Sequence, residues 1–187
     1  AGRRQRRHRG RAVLQRRVQR RVVRVLAGAA RRARCATGGT VLTGYLALEH
    51  GLACNTAGGS HHARRAHGAG FCVFNDVAVA IRVMQADGAI EKALVVDLDV
   101  HQGDGTADIF TGDDSVFTFS MHSEKNYPVR KVPSDLDIAL PDHTGDEAYL
   151  ECLLGVLSTV IERARADIVF FNAGVDPFLG DRLGRLG

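Results

Sequence analysis

Asp97-Leu98-Asp99-Val100-His101-Gln102-Gly103-Asp104-Gly105 closes the apolar run from Ala93 to Val96, and its reading decides the fold. Residues two apart in a strand share a face, so Asp97, Asp99 and His101 project to one side if the strand persists from 93 to 100. Two acids and an imidazole at the end of a buried strand, beside a Gly-rich turn, supply half of a metal site. Asp176, after the apolar run that ends at Asn172, offers a further carboxylate. Zinc takes nitrogen and oxygen ligands and keeps one position open when it is catalytic, which makes Asp99, His101 and Asp176 the candidate ligands. The tandem His61-His62 is poorly suited to chelation, because neighbouring side chains diverge. A general base needs its second ring nitrogen held by an acceptor, and Asp97 and Asp104 are carboxylates to spare.

Working outward, Thr40–His50 reads as a helix stopped by Gly51, and Ala53–Asn55 as a brief strand. Asn75 or Asp76 caps a helix whose Val77, Ile81, Val83 and Met84 keep a 3.6-residue period up to Asp87-Gly88. A helical turn around Thr106–Phe110, a strand over Ser115–Ser120, a long loop around a short strand at 123–145, a helix capped by Thr144 or Asp146 and running to about Arg165, and a strand over Asp167–Asn172 complete the pattern. This alternation predicts an α/β fold, a mostly parallel sheet with helices on both faces. Such sheets bind ligands beyond the carboxyl ends of their strands, where Asp99, His101, His122 and Asp176 fall. Gly58-Gly59, Gly70, Gly103 and Gly105 let backbone pass close to a ligand. Phe71 and Tyr127 lie in loops flanking the site; most loop aromatics simply cover core, but a pair facing a slender substrate would wall an apolar channel.

Composition sets the bounds. The 187 residues suffice for one domain with a sizeable core. The formal charge of +4 hides a division: residues 1–34 hold 14 arginines and no acid, leaving 11 basic against 21 acidic residues beyond them. Val18, Val22, Val25 and Leu26 fit an Arg-coated helix from about Ala12 to Arg34. That segment, 1–36 as a unit, reads as a solvated basic face, a reading-frame artefact or a nucleic-acid contact, and the absence of interleaved aromatics makes nucleic acid the least supported. Four scattered cysteines without a C-x-x-C pair point to reduced thiols. With no secretory h-region and no window near the ~20 apolar residues of a membrane span, the expectation is a cytoplasmic protein with no membrane partner.

The motifs together resemble the histone deacetylase family. Gly58-Gly59-Ser60-His61-His62-Ala63, Gly70-Phe71-Cys72-Val73-Phe74-Asn75-Asp76, the Asp97–Gly105 stretch, and Asn172-Ala173-Gly174-Val175-Asp176 with Gly180-Asp181-Arg182-Leu183-Gly184 resemble four of its segments, in order, from about Thr37 to Gly187. The His-Gln-Gly and Asn-Ala-Gly variants look closest to its class IV and bacterial branch. The resemblance implies an arginase/deacetylase-like fold over 37–187 and one catalytic Zn²⁺ on Asp99, His101 and Asp176. It makes His61 and His62 catalytic, paired with Asp97 and Asp104. Gly70, Phe71 and Tyr127 would line the acyl-lysine tunnel. It also implies a structural K⁺ site using Asp97, Asp99, His101, Ser120 and Met121, partly through backbone oxygens. The implied substrate is an acetylated lysine or other acetylated amine.

Two departures are visible. The family's catalytic tyrosine follows a Gly-rich turn downstream of GDRLG, whereas Tyr45 and Tyr149 fall in expected helices and Tyr127 beside the tunnel, so the resemblance implies an incomplete domain. The Arg-rich head does not resemble the family's first strand and helix. Three other readings stand beside zinc-dependent hydrolysis of acetyl-lysine: an acetylpolyamine amidohydrolase, an arginase-like enzyme with two manganese ions, and an inactive metal-binding remnant.

Overall fold

The computed structural model describes the backbone of residues 2–187 and the side chains of residue 24 and residues 26–187. Backbone contacts divide the chain into two compact units, Ala1–Cys35 and Ala36–Gly187. Helix α1 runs without interruption from Gly2 to His50, where two helices are expected. Most of the expected basic face at 12–34 lies outside the described side chains. Glycines in a helix interior cost about 1 kcal/mol each, and Gly38-Gly39 fall in the gap between the two expected helices. Tertiary contact keeps the helix going: Thr40 donates its hydroxyl to the buried Asp76 carboxylate at 2.5 Å, and the Asn55 amide donates back to Thr40 at 2.8 Å. Gly51 closes α1 at φ 84°, its N–H on the Ala47 carbonyl at 2.8 Å.

The expected strand at 53–55 is absent; with Asn55 turned onto α1, this stretch finds no partner among the described strands. Helix α2 (Asp76–Ala86) starts where Asn75 accepts the Ala78 N–H at 3.0 Å. Strand β1 (Ala93–Asp97) is followed by α3 (Asp104–Phe110), β2 (Val116–Ser123), β3 (Leu136–Leu140), α4 (Asp146–Ala164) and β4 (Ile168–Asn172). Neither expected residue caps α4. Gly145 holds the cap position with no side-chain bond, and Thr144 donates instead to the Pro141 carbonyl.

The four strands pair in the order β3-β2-β1-β4, every pair parallel. All five residues of β1 are buried, as a strand covered on both faces requires. One face packs Ala93, Val95, Val116, Ile168 and Phe170 against α2 residues Ile81 and Met84, with Val41 and Tyr45 of α1 at its margin. The other packs Leu94, Val96, Phe119 and Met121 against Val160 and Ala164 of α4. Helices on both faces of a parallel sheet are thus what the alternation of elements called for. Among the described residues, no helix is long and apolar enough to cross a membrane. All four cysteines are free.

Candidate active site

Parallel pairing fixes the register so that Asp97 of β1 stands between Ser120 of β2 and Asn172 of β4. Three polar side chains thereby form a row at the carboxyl end of the sheet. The expected strand to residue 100 stops at Asp97, and Asp99 and His101 lie in the bends beyond it. The chain turns out because its N–H groups find acceptors off the ladder. Asp99 N–H goes to Asp97 at 3.2 Å, Val100 N–H to Asp176 at 2.9 Å and His101 N–H to Asp99 at 2.8 Å. The same bonds orient the carboxylates. Gly174 lies so close under Asp99 that any side chain there would collide with it.

Asp99, His101 and Asp176 each bring one ligand atom within 4.8 Å of the others, the only such group among the described residues. His101 Nδ1 sits 2.9 Å from Asp99 Oδ1 and 3.0 Å from Asp176 Oδ2. Hydrogen bonds to Asp176 and Asp99 lift this imidazole to about 9 against the opposing pull of burial. The same ring, more than burial can oppose, holds Asp99 below the usual carboxylate range. The donor set fits a zinc ion: two carboxylate oxygens and one imidazole nitrogen converge, all three side chains partly exposed. His122, at the end of β2, is not in the group; it is buried with Nδ1 3.1 Å from Ser120 Oγ, and burial lowers its pKa.

The tandem histidines are buried beside this group. His61 Nδ1 is 2.7 Å from Asp97 Oδ2, and His62 Nδ1 is 2.6 Å from Asp104 Oδ1. Both rings therefore keep Nε2 free of a carboxylate hydrogen bond; that of His61 stands 3.7 Å from Asp99. Burial pulls His61 down, but the adjoining Asp97 carboxylate, with Asp99 beyond it, overrides this and lifts the ring to about 9. Asp104 is desolvated, which would raise it, yet the bonds from His62 and from the Arg64 guanidinium at 2.6 Å bring it below the usual range. Asn172 completes the first pair, its amide 3.0 Å from Asp97 Oδ1.

Several residues that the sequence reading assigned no role, or only a cap, hold this arrangement. Asp76, beyond starting α2, accepts the N–H groups of Gly59 (3.1 Å) and Ser60 (2.7 Å), gripping the turn that delivers His61. Asn75 ties the same loop to α3, donating to the Ala63 carbonyl at 3.3 Å and to Thr106 Oγ1 at 3.0 Å. Gln102, 1% exposed, both accepts from Val132 N–H and donates to its carbonyl, anchoring the loop after Tyr127. The Asn75-Asp76 pair, a polar doublet after a glycine-punctuated loop, was the available signal; nothing local marks Gln102.

The remaining expected residues are divided. Tyr127 is 43% exposed, and its ring meets His62 edge-on at 4.8 Å. Gly70 adopts φ 50° directly over the His62 ring, where no Cβ would fit. Phe71, at φ 64°, is fully open to solvent. Ser120 Oγ lies beside Asp97 and receives Gly103 N–H at 3.4 Å, while the Met121 side chain is fully buried in the α4-side core.

Comparison with known proteins completes the picture. The family profile of the histone deacetylase domain matches residues 3–187, so it also spans the Arg-rich segment. An uncharacterized protein of Picosynechococcus sp. is 55% identical over 160 residues, covering 86% of this chain and 53% of its own. Histone deacetylase 2 of Arabidopsis thaliana is 33% identical over 153 residues, covering 80% of this chain and 39% of its own. The crystal structure of an HDAC homologue from Aquifex aeolicus superposes with a TM-score of 0.72 at 31% identity, covering 81% of this chain and 44% of that one. The chain thus spans about half the length of the first of these relatives, and less of the others.

Proposed function

Because the chain belongs to the histone deacetylase family, we propose that it carries the zinc-dependent amide-hydrolysis site of a lysine deacetylase, acting on acetylated lysine. The observation that carries this reading is the convergence of two His–Asp pairs, at 2.7 and 2.6 Å, on the Asp99–His101–Asp176 group. Asp99, His101 and Asp176 would hold a zinc ion, which would supply a Lewis acid for the acetamide carbonyl and lower the pKa of a water toward ~7. His62, its Nδ1–H directed to Asp104, presents a bare Nε2 that takes the proton of the attacking water. Asp104 fixes that tautomer, and Arg64 keeps Asp104 ionised. The protonated imidazole then delivers its proton to the leaving amine, giving free lysine and acetate. His61, kept charged by Asp97, provides positive potential for the oxyanion that develops on the carbonyl oxygen. Gly70, Phe71 and Tyr127 border the approach of the acyl-lysine chain. A K⁺ ion at Asp97, Asp99, His101, Ser120 and Met121 would brace the strand end from beneath. Four free cysteines suit a reducing, cytoplasmic setting.

The test has two parts. Zinc titration of the metal-free chain, followed by elemental analysis, is expected to give one ion per chain and none in Asp176→Asn. Acetate release from an acetyl-lysine peptide is expected to vanish in His62→Ala while zinc uptake persists. Full turnover in that variant refutes the base assignment, and two bound metals favour an arginase-like site. An acetylated polyamine run in parallel reads the competing substrate class.

A further inference from the structure

The ring of His101 has a second nitrogen, and its surroundings assign a task to Asn126. Asn126 is 6% exposed and lies at the turn after β2, with its N–H on the Ser123 carbonyl at 3.3 Å. Its Nδ2 donates to the Leu183 carbonyl at 2.7 Å and sits 3.4 Å from His101 Nε2. Its Oδ1 is buried with no hydrogen-bond partner. A buried, unpaired amide oxygen loses its hydration without a replacement, so it calls for an explanation. The turn is otherwise pinned: Lys131 donates to the Asn126 carbonyl at 2.6 Å and to that of Pro128 at 2.9 Å.

The chemistry of a ligating imidazole supplies one. Nδ1 is the nitrogen aimed between Asp99 and Asp176, so Nδ1 is the atom that would bind a cation. A neutral ring that gives Nδ1 to a metal carries its proton on Nε2, and that N–H needs an acceptor. We propose that Asn126 is the positioning residue for His101, accepting the Nε2–H through its side-chain oxygen when the site is loaded. This rests on the metal reading of Asp99, His101 and Asp176 given above. Nδ1 lies between the two carboxylates, and the NH2 end of Asn126 faces Nε2. With Nδ1 given to a cation the ring N–H is at Nε2, and a half-turn of the amide presents oxygen to it. The turn withdraws Nδ2 from the Leu183 carbonyl. Leu183 lies seven residues beyond Asp176, in the turn held by Asp181 through the Leu183 and Gly184 N–H groups at 2.7 and 2.8 Å. Metal occupancy is thereby read out in the segment that follows the third ligand.

Asn126→Ala and Asn126→Asp separate the two bonds of this amide. Aspartate keeps an oxygen for Nε2–H but cannot donate to Leu183. By competition with a chelating dye, the chain carrying Asn126→Ala is expected to bind zinc about 10- to 100-fold more weakly than wild type. Asn126→Asp is expected to stay within roughly threefold of wild type, by the same acceptor argument. Equal affinity of the alanine variant and wild type overturns the proposal. So does an aspartate variant as weak as alanine, which would make Asn126 only a clamp on Leu183. Should the alanine variant fail to fold, long-range ¹H–¹⁵N spectra of the zinc-loaded wild-type chain decide. A His101 proton on Nε2, protected from exchange, supports the inference, and a proton on Nδ1 overturns it. A wild-type chain that takes up no zinc overturns both this inference and the metal reading, whereas zinc uptake untouched by either substitution overturns this inference alone.

Discussion

His61–Asp97 and His62–Asp104 are the same two residue types at nearly the same distance, yet a third partner makes them different devices. Asp97 is 2% exposed and its second oxygen receives a neutral amide from Asn172, so its negative charge falls fully on His61, which rises to about 9. Asp104, fully buried, shares its charge with Arg64, whose own side chain is a quarter exposed. A carboxylate balanced by a guanidinium polarises its histidine less than one balanced by an amide.

The largest break in this comparison is expected from Asp97→Ala. It strands the buried His61 and leaves the Asn172 amide and the Asp99 N–H without their acceptor, at about 3–5 kcal/mol. Asp104→Ala is expected to cost less, about 2 kcal/mol, because Arg64 can turn to Asp108 or to water. Urea unfolding of the metal-free variants measures both, and a larger loss for Asp104→Ala would reverse the ranking.

Next in size is the response to pH, where the two pairs weaken at opposite ends. His61 has a folded pKa above its unfolded value of ~6.5, so its contribution is complete below ~6.5 and is lost as pH rises through about 9. Asp104 has a folded pKa below its unfolded value of ~3.9, so its contribution is present above ~3.9 and is lost as pH falls through the lower folded value. Urea midpoints of the metal-free chain across pH 2.5–10 are expected to flatten at the alkaline end in His61→Gln and at the acid end in Asp104→Asn. A flattening at the wrong end contradicts the assignment.

Arg64→Met is expected to be the mildest, about 1 kcal/mol, since solvent screens a partly exposed guanidinium. Its value is in sharpening: it makes the second pair resemble the first. Urea unfolding of the metal-free chain measures the loss, and the ¹⁵N shifts of His61 are expected to stay fixed.

How much of this was legible in the chain depends on the range of the interaction. The helix at 76–86 was announced by its 3.6-residue period and its Asn75 cap, both local, and the structure places both there. The apolar runs at 93–97 and 168–172 likewise carry their own signal, because a strand buried on both faces is apolar throughout. The end of β1 was overrun by three residues. Alternation of Asp97, Asp99 and His101 looks like a pleat, and only the distant Asp176 and Asn172 reveal that the backbone leaves the ladder there. The gap expected between residues 34 and 40 is closed for the same reason. The contacts that hold Thr40 in helix come from Asn55 and Asp76, out of reach of a helix propensity. Gln102, Asn126 and Asn172 were invisible as supports, since an uncharged amide announces nothing until its partner is known.

The parallel register that sets Asp97 beside Asn172 has a consequence for how the molecule is made. The bonds that define the site join residues 36, 42 and 76 positions apart, and β4 supplies one flank of β1 only near the end of the described chain. Contacts so remote in sequence close slowly and last. Any cation bound at this centre would therefore wait for β4 to seat against β1, which would turn metal uptake into a clock for that pairing.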